Sequence, residues 1–366
     1  MTYIRNWIEK QGLQIVSQPL SLPVMSIQDH YLGTEGLYKL GWRVLRRKFF
    51  LWISGQSICL KDRADFEWRK GLWIYFRTAQ IGDSIMDLSA RSFFQDVNCS
   101  VDLFTNVQIE KLYKDDEWFD VVTSNYLDIK NIKYDFIIIQ SVHHRALKYK
   151  IKYFRNMPWI CMQSFYDVPD FARSKWGVQR LVDLWSFNNL IDSAKYGWHS
   201  KQKLSYNTKF CTHSRKRVTV VLGGMDPVRT YHKWHEVIRG LKIENNQSIT
   251  LIGIGQEALE GSDQILLVNP TLNIASLVNQ LSLDDLKDIL LDTKLLLVAD
   301  GGAMHMGIAL DIPAIVSLFI RGIPPPLRIP DSYHEFAVTS HTGLINDIPS
   351  DQIINKANFA LNCKFK

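Results

Sequence analysis

Clustered cysteines and long apolar runs are missing from this 366-residue sequence, and we expect no secretory leader. The five cysteines are scattered without a C-x-x-C pair, which argues against a zinc cluster or a redox motif. No run of about 18 uncharged apolar residues occurs, so we expect no membrane-spanning helix. Glu9 and Lys10 interrupt the N-terminal stretch where a secretory signal needs an apolar core. These features favour a cytoplasmic protein.

The net charge of +6 is concentrated near the N-terminus, where residues 1–70 hold 11 lysine and arginine residues against 6 acidic ones. A nucleic-acid-binding fold would carry a basic stripe across its whole surface, so we expect no nucleic-acid partner. Residues 38–54 have the pattern of a basic amphipathic helix. Two interpretations stay open: its aromatic face packs on the main domain, or it lies on the anionic inner face of the plasma membrane.

From residue 71 onward, short apolar runs alternate with helical patterns. Continuous apolar strands bounded by helices are typical of parallel sheets that are covered on both faces. Strands are predicted at 72–76, 101–105, 119–123, 134–140, 218–222, 248–252, 294–299 and 314–319. Helices are predicted at 83–95, 232–241, 284–291 and 304–310, and residues 165–215 are predicted to be irregular.

This alternation occurs twice, which predicts an α/β protein with two doubly wound, Rossmann-like domains. We expect a basic extension at 1–70, an N-terminal acceptor-side domain at 71–210, a nucleotide-sugar-binding domain at 216–345 and a tail at 346–366 that packs back on the N-terminal domain.

The strongest candidate site follows the strand that ends near residue 299. Asp300, Gly301 and Gly302 form a turn before a helix, and His305 lies within its first residues. Free N–H groups at a helix N-terminus bind phosphate, and glycines allow close approach. We therefore expect a diphosphate at residues 301–305, Ala303 included, with Asp300 and His305 beside it.

Three further stretches carry candidate residues. Asp83 follows the first strand and is a candidate general base, although a helix cap would use the same residue. Arg229, His232 and Lys233 precede Trp234 and are candidates to stabilise the leaving diphosphate, or else a solvated helix start.

Glu257, just past a strand, is a candidate ribose ligand or a simple helix-start glutamate. We also assign Arg77 and Arg145 to acceptor binding.

Taken together, the motifs resemble those of the ADP-heptose:lipopolysaccharide heptosyltransferases, glycosyltransferase family 9. The shared order is Gly-Asp after the first strand, a basic residue two positions before Trp234, and Asp-x-Gly-x-x-His-x-x-x-Ala, which here ends at Ala309. Two features depart from the family: His232 occupies the usual lysine position while Lys233 directly precedes the tryptophan, and 70 residues precede the first strand.

The resemblance implies a GT-B type fold with its site in a central cleft, and inverting transfer of heptose from ADP-heptose to a lipopolysaccharide or lipooligosaccharide inner-core acceptor. It implies no metal and no other cofactor, in line with the lack of a D-x-D pair at the predicted donor site. It suggests Asp83 as general base, Gly302 and His305 at the diphosphate and sugar, Asp300 at the heptose and Glu257 at the ribose.

Other functions on the same fold stay open. They are another nucleotide-sugar transferase or epimerase, a protein-modifying heptosyltransferase, or a sugar-binding protein without catalysis. The protein-modifying relatives carry clustered cysteines, which this chain lacks, so a glycolipid acceptor is favoured. A dehydrogenase is disfavoured because neither half has a complete G-x-G-x-x-G after its first strand.

Overall fold

The computed structural model describes Tyr3, Asn6 and Trp7 and residues 37–76, 81–142, 144–163, 173–186, 202–205, 215–223, 227–244 and 247–363. The chain separates into two compact units, one formed by Met1–Gln80 and Met86–Lys201, the other by Ile81–Ile85 and Gln202–Lys366. Each unit contains a parallel sheet, which confirms the predicted α/β fold class. In the described part of the chain, no helix is long and apolar enough to cross a membrane.

The sheet of the first unit is built from five parallel strands. They are β1 (Lys70–Tyr75), β2 (Ser100–Thr105), β3 (Val122–Thr123), β4 (Phe136–Ile139) and β5 (Trp159–Cys161), in the order β3-β2-β1-β4-β5. The helices of this half are α1 (Leu37–Ile53), α2 (Gln56–Cys59), α3 (Ile81–Asp87), α4 (Phe93–Asp96), α5 (Val107–Tyr113), α6 (Tyr126–Ile129), α7 (His144–Tyr153) and α8 (Arg173–Ser186).

The core of the first unit follows from its apolar strands. Every side chain of β4 is fully buried because the strand lies between β1 and β5 with both faces covered. Aromatic rings fill one side: Trp68 stacks on Phe136 at 4.5 Å between ring centroids, and Trp185 meets Phe136 edge-on at 5.7 Å. Burial of such large rings is a main source of the unit's stability.

Three of the predicted elements differ from the structure of this unit. Residues 173–186 form helix α8, so the prediction of irregular structure at 165–215 is wrong there; the buried Arg173 and Arg180 obscure its apolar periodicity. The helix predicted at 83–95 is interrupted by a 3₁₀ turn at Leu88–Ser92. The strand predicted at 119–123 is reduced to β3.

The sheet of the second unit has six parallel strands. They are β6 (Arg217–Leu222), β7 (Ile249–Gly253), β8 (Ile274–Ser276), β9 (Thr293–Ala299), β10 (Ala314–Phe319) and β11 (Val338–Thr339), in the order β11-β10-β9-β6-β7-β8. Its helices are α9 (Trp234–Gly240), α10 (Gln256–Val268), α11 (Leu283–Leu291), α12 (Gly302–Ala309) and α13 (Ser350–Asn362).

The C-terminal tail belongs to this second unit. Helix α13 contacts α9, β9 and β10, with Ile353, Ala357 and Ala360 buried. Its contact with α9 is close, since a Cβ added at Gly240 would lie 2.6 Å from Ile354 Cδ1. The expectation that the tail packs back on the N-terminal domain is therefore wrong: its apolar face covers the second sheet.

Candidate functional site

The strand order of the second sheet reverses between β6 and β9. Open α/β sheets bind ligands beyond the carboxyl ends of the strands at such a point. The chain leaves β9 at Asp300 and leaves β6 at Gly223, whose φ of 74° suits a residue without a side chain. Two of the predicted motifs thus follow neighbouring strands.

The glycine turn after β9 leaves the start of helix α12 open. Gly301 occupies the N-cap position without a side-chain cap, and its φ of 175° is available to any residue. Among the described residues, a Cβ added at Gly301 would find no atom nearer than 3.7 Å, and one at Gly302 none nearer than 3.5 Å. Packing therefore does not require either glycine. The first N–H groups of α12 have no partner within the helix and are suited to an anion.

Asp300 is buried beside this turn among three cationic or polar groups. Its Oδ2 lies 3.3 Å from Arg229 Nη1 and 3.9 Å from Arg328 Nε, and its Oδ1 lies 3.8 Å from His305 Nε2. These separations are long for charge-assisted hydrogen bonds. Among the described residues Oδ2 has no hydrogen-bond partner of good geometry. A buried carboxylate oxygen in that state can accept a hydrogen bond from a ligand hydroxyl.

His305 is held in place from its other side. The ring is buried, and its Nδ1 lies 3.1 Å from Gln202 Oε1. Gln202 in turn donates from Nε2 to the carbonyl of Arg328 at 3.3 Å. Because Gln202 Oε1 can only accept, Nδ1 carries the proton and donates to it, and in the neutral ring Nε2 is then an acceptor near Asp300.

The start of helix α3 packs against the same turn within the second unit, which includes Ile81–Ile85. A Cβ added at Gly82 would lie 2.7 Å from His305 Cδ2 and 3.4 Å from Gly302 Cα. Glycine is required at 82 for this approach. Asp83, the next residue, is half-buried in the first turn of α3. The structure thus brings the Gly-Asp motif to the Asp-x-Gly-x-x-His motif.

Asp87, one helical turn beyond Asp83, has a different environment. It is fully buried in the first unit and forms an ion pair with Arg173, whose Nε donates to Oδ1 at 2.8 Å. Gln163 Nε2 donates to Oδ1 at 3.0 Å, and the Tyr75 hydroxyl donates to Oδ2 at 3.1 Å. Both oxygens are occupied by these donors, so Asp87 is a structural residue.

The basic turn before α9 contacts the start of α10. His232 Nε2 lies 3.4 Å from Glu257 Oε1, and both side chains are about half exposed. His232 is fixed through its backbone N–H, which donates to Asn346 Oδ1 at 3.0 Å. Lys233 is the N-cap residue of α9 without a side-chain cap. The helix predicted to start at 232 therefore starts two residues later, which leaves both basic residues in the turn.

Of the two residues predicted to bind the acceptor, the structure describes one. Arg145 is exposed near the start of α7, after strand β4 of the first unit. Arg77 lies outside the described residues.

Two residues at the site escaped sequence analysis. Arg328 comes from a proline-rich loop, and Gln202 precedes the second unit's first strand; neither belongs to a motif. The signal that could have found Arg328 is a basic residue between prolines in the loop after the last long strand. Among the described residues no group of three or more His, Cys, Asp or Glu side chains is arranged to hold a metal ion; that no metal is needed stays a prediction.

Comparisons with known proteins find similar structures but no similar sequence. No protein-family model matches the chain, and no curated protein sequence matches it. A glycosyltransferase family 9 structure from Veillonella parvula is similar with a TM-score of 0.63 and 13% identity, covering 82% of this chain and 99% of that one.

Two E. coli structures are also similar. The ADP-heptose lipopolysaccharide heptosyltransferase II has a TM-score of 0.60 at 15% identity, covering 80% of this chain and 98% of that one. Heptosyltransferase WaaC with ADP has a TM-score of 0.60 at 12% identity, covering 80% and 99%. The chain therefore has the GT-B type fold of these enzymes, and the resemblance to glycosyltransferase family 9 is confirmed at the level of the fold.

Proposed function

We propose that the chain is an inverting glycosyltransferase that moves heptose from ADP-heptose to an inner-core acceptor of lipopolysaccharide or lipooligosaccharide. The observation that carries the proposal is the combination at the end of β9. A glycine turn and a buried carboxylate oxygen without a hydrogen-bond partner among the described residues lie together at the strand-order reversal. Structures with this fold include enzymes named for ADP-heptose.

The donor would be held mainly by the second unit. The backbone N–H groups at Gly301–Ala303 would bind the diphosphate, with His305 beside it. Asp300 would accept a hydrogen bond from a heptose hydroxyl through Oδ2. Glu257, at the carboxyl end of the strand adjacent to β6, would accept hydrogen bonds from the ribose hydroxyls.

The leaving diphosphate would be stabilised by His232 and Lys233. A cation at a helix N-terminus is electrostatically unfavourable, because the helix end itself carries partial positive charge. Lys233 occupies such a position on α9. A bound diphosphate would neutralise this charge, and the negative charge that develops as ADP leaves would strengthen the interaction.

Asp83 would act as the general base. In the transfer step the acceptor hydroxyl oxygen attacks the anomeric carbon from the face opposite the diphosphate. The bond from that carbon to the diphosphate oxygen breaks, and ADP leaves with the electron pair. The hydroxyl proton passes to the Asp83 carboxylate. The close approach of Gly82 to His305 supports this role, since Asp83 is the next residue in the chain.

The acceptor would be a glycolipid, with Arg77 and Arg145 contacting its anionic groups, and the enzyme would work in the cytoplasm at the inner face of the plasma membrane. The preference rests on the scattered cysteines and on the basic N-terminal region.

Calorimetry and mass spectrometry test the proposal in two steps. Titration of ADP with chelator present should give the same affinity as titration without it; loss of binding with chelator would refute the metal-independent site. ADP-heptose should then be consumed only when a purified core acceptor is present, with ADP-glucose as the matched donor control. Transfer to a polypeptide instead would favour the protein-modifying alternative, and transfer from a different nucleotide sugar would favour another transferase on this fold.

A further inference from the structure

Helix α1 has two apolar faces: among the described residues one packs in the core of the first unit, and the other is exposed. Gly41, Val44 and Leu51 are buried, and Val44 and Leu51 belong to the core of the first unit together with Leu72 and Trp159. The helix is therefore held in a defined orientation by its inner face. The expectation that its aromatic face packs on the main domain is wrong, because mainly aliphatic residues make that contact.

The outer face carries most of the large apolar side chains of the helix. These residues are between 47% and 83% exposed. They are Tyr38, Trp42, Leu45, Phe49, Trp52 and Ile53. Positions 38, 42, 45, 49 and 52 follow the three- and four-residue steps that define one face of a helix. Since the inner face is fixed in the core, rotation of the helix cannot bury this outer face in the first unit.

The charge on the helix has one sign. The sequence Leu37–Ile53 contains no acidic residue and five basic ones. Arg46 lies one helical turn from both Trp42 and Phe49, and Lys39 lies one turn from Trp42, so cations border the apolar face. A protein partner would not need this arrangement, whereas an anionic bilayer offers phosphates at the height of the headgroups and an apolar region just below them.

We propose that the outer face of α1 is a docking surface for an anionic lipid bilayer. Trp42, Phe49 and Trp52 enter the boundary between headgroups and acyl chains, where amphipathic rings are favoured, and Arg46 and Lys39 contact the lipid phosphates. The helix lies in the plane of the membrane and does not cross it. This surface goes beyond the proposed sugar transfer and does not depend on which donor or acceptor the second unit binds.

Vesicle co-sedimentation of the full chain tests the surface. The wild type should bind vesicles that contain phosphatidylglycerol, and it should bind less well at high salt. The triple variant Trp42→Ser/Phe49→Ser/Trp52→Ser should bind more than tenfold more weakly, since three exposed rings are removed. Arg46→Ala should weaken binding about fivefold, the contribution of one basic residue near an anionic surface.

A matched control removes the same number of exposed apolar side chains elsewhere. Val107→Ser/Leu127→Ser/Leu267→Ser should bind vesicles like the wild type, because these residues lie on other elements. All variants should keep their thermal melting temperature, and ADP affinity should be unchanged in the triple α1 variant. If neither the wild type nor any variant binds ADP, the proposed function is contradicted. The vesicle measurement still tests the docking surface in that case.

Three results would overturn the proposal. One is equal binding of the wild type to purely zwitterionic and to anionic vesicles, or no binding to either. Another is equal binding by the wild type and the triple α1 variant. The third is a dimer in light scattering that becomes a monomer in the triple variant, which would show that a second copy of the chain covers this face.

Discussion

Two buried carboxylates, one in each unit, show how differently the same group can be used. Asp87 in the first unit receives hydrogen bonds from Arg173, Gln163 and Tyr75, so both of its oxygens are occupied. Asp300 in the second unit lies near two arginines, but its Oδ2 is 3.3 Å from Arg229 Nη1 and 3.9 Å from Arg328 Nε. Among the described residues this oxygen has no hydrogen-bond partner.

The difference separates a structural ion pair, that of Asp87, from a carboxylate that we propose as a ligand-binding group, that of Asp300. A buried charge that is left short of donors destabilises the folded state unless a ligand completes it. An occupied carboxylate instead fixes the elements that it joins: Asp87 connects β1, α3 and α8. The local sequence pattern does not separate the two aspartates, since each lies shortly after a buried strand, Asp87 after β1 and Asp300 after β9.

The largest expected effect concerns Asp83, the residue proposed as the general base. Asp83→Asn keeps the shape of the side chain but removes the basic oxygen. Transfer should fall by roughly 10²–10⁴-fold, the usual contribution of a general base, while ADP affinity stays near the wild-type value. Single-turnover transfer and calorimetry measure the two quantities. A near wild-type transfer rate would make Asp83 a helix cap.

The contrast between Asp87 and Asp300 is tested by a pair of substitutions. Asp87→Asn leaves the Arg173 charge buried without its partner, so the free energy of unfolding of the first unit should fall by about 3–5 kcal/mol. Asp300→Asn is the matched control and should change the stability of the second unit by less than about 1 kcal/mol while it weakens donor binding. Urea denaturation measures both. Equal destabilisation by the two substitutions would show that Asp87 and Asp300 contribute alike to the stability of their units.

A smaller effect is expected in the basic turn of the second unit. His232→Ala and Lys233→Ala should each lower turnover by roughly ten- to a thousandfold, the range for loss of one electrostatic stabiliser. Arg239→Ala is the control, because Arg239 is an exposed cation in the last turn of the same helix. Initial rates at saturating donor give the comparison; wild-type rates in both variants would mean that the turn is only a solvated helix start.

The smallest effect is a pH dependence in the first unit. Burial raises the pKa of the Cys161 thiol to about 12, against an ordinary value of 9.0. Above pH 9 the unfolded chain loses this proton while the folded chain keeps it, so stability falls as pH rises. From pH 8 to 10 this group should remove about 1–2 kcal/mol.

The Cys161→Ala variant lacks this contribution. The difference in unfolding free energy between wild type and variant should therefore shrink by that amount between pH 8 and 10. Denaturant titrations at the two pH values measure it. A constant difference would show that the thiol titrates alike in the folded and unfolded chains.

The sequence by itself determined the repeated strand-helix alternation, both ends of strand β10 and the glycine turn between β9 and α12. These are local properties, because an apolar run or a glycine before a helix acts through its nearest neighbours in the chain. The predicted strands at 72–76, 218–222 and 294–299 match β1, β6 and β9 within two residues at each end for the same reason.

Only the tertiary structure decided the roles that depend on distant partners. Asp87 became structural because Gln163 and Arg173 reach it from 76 and 86 residues away. Gln202 and Arg328 joined the site through contacts across 103 and 126 residues. The aromatic face of α1 is exposed because another face of the same helix packs in the core of the first unit. Helix α13 covers the second sheet because its apolar face packs against β9 and β10. Periodicity shows that a helix has an apolar face, but only the packed fold decides which face is buried.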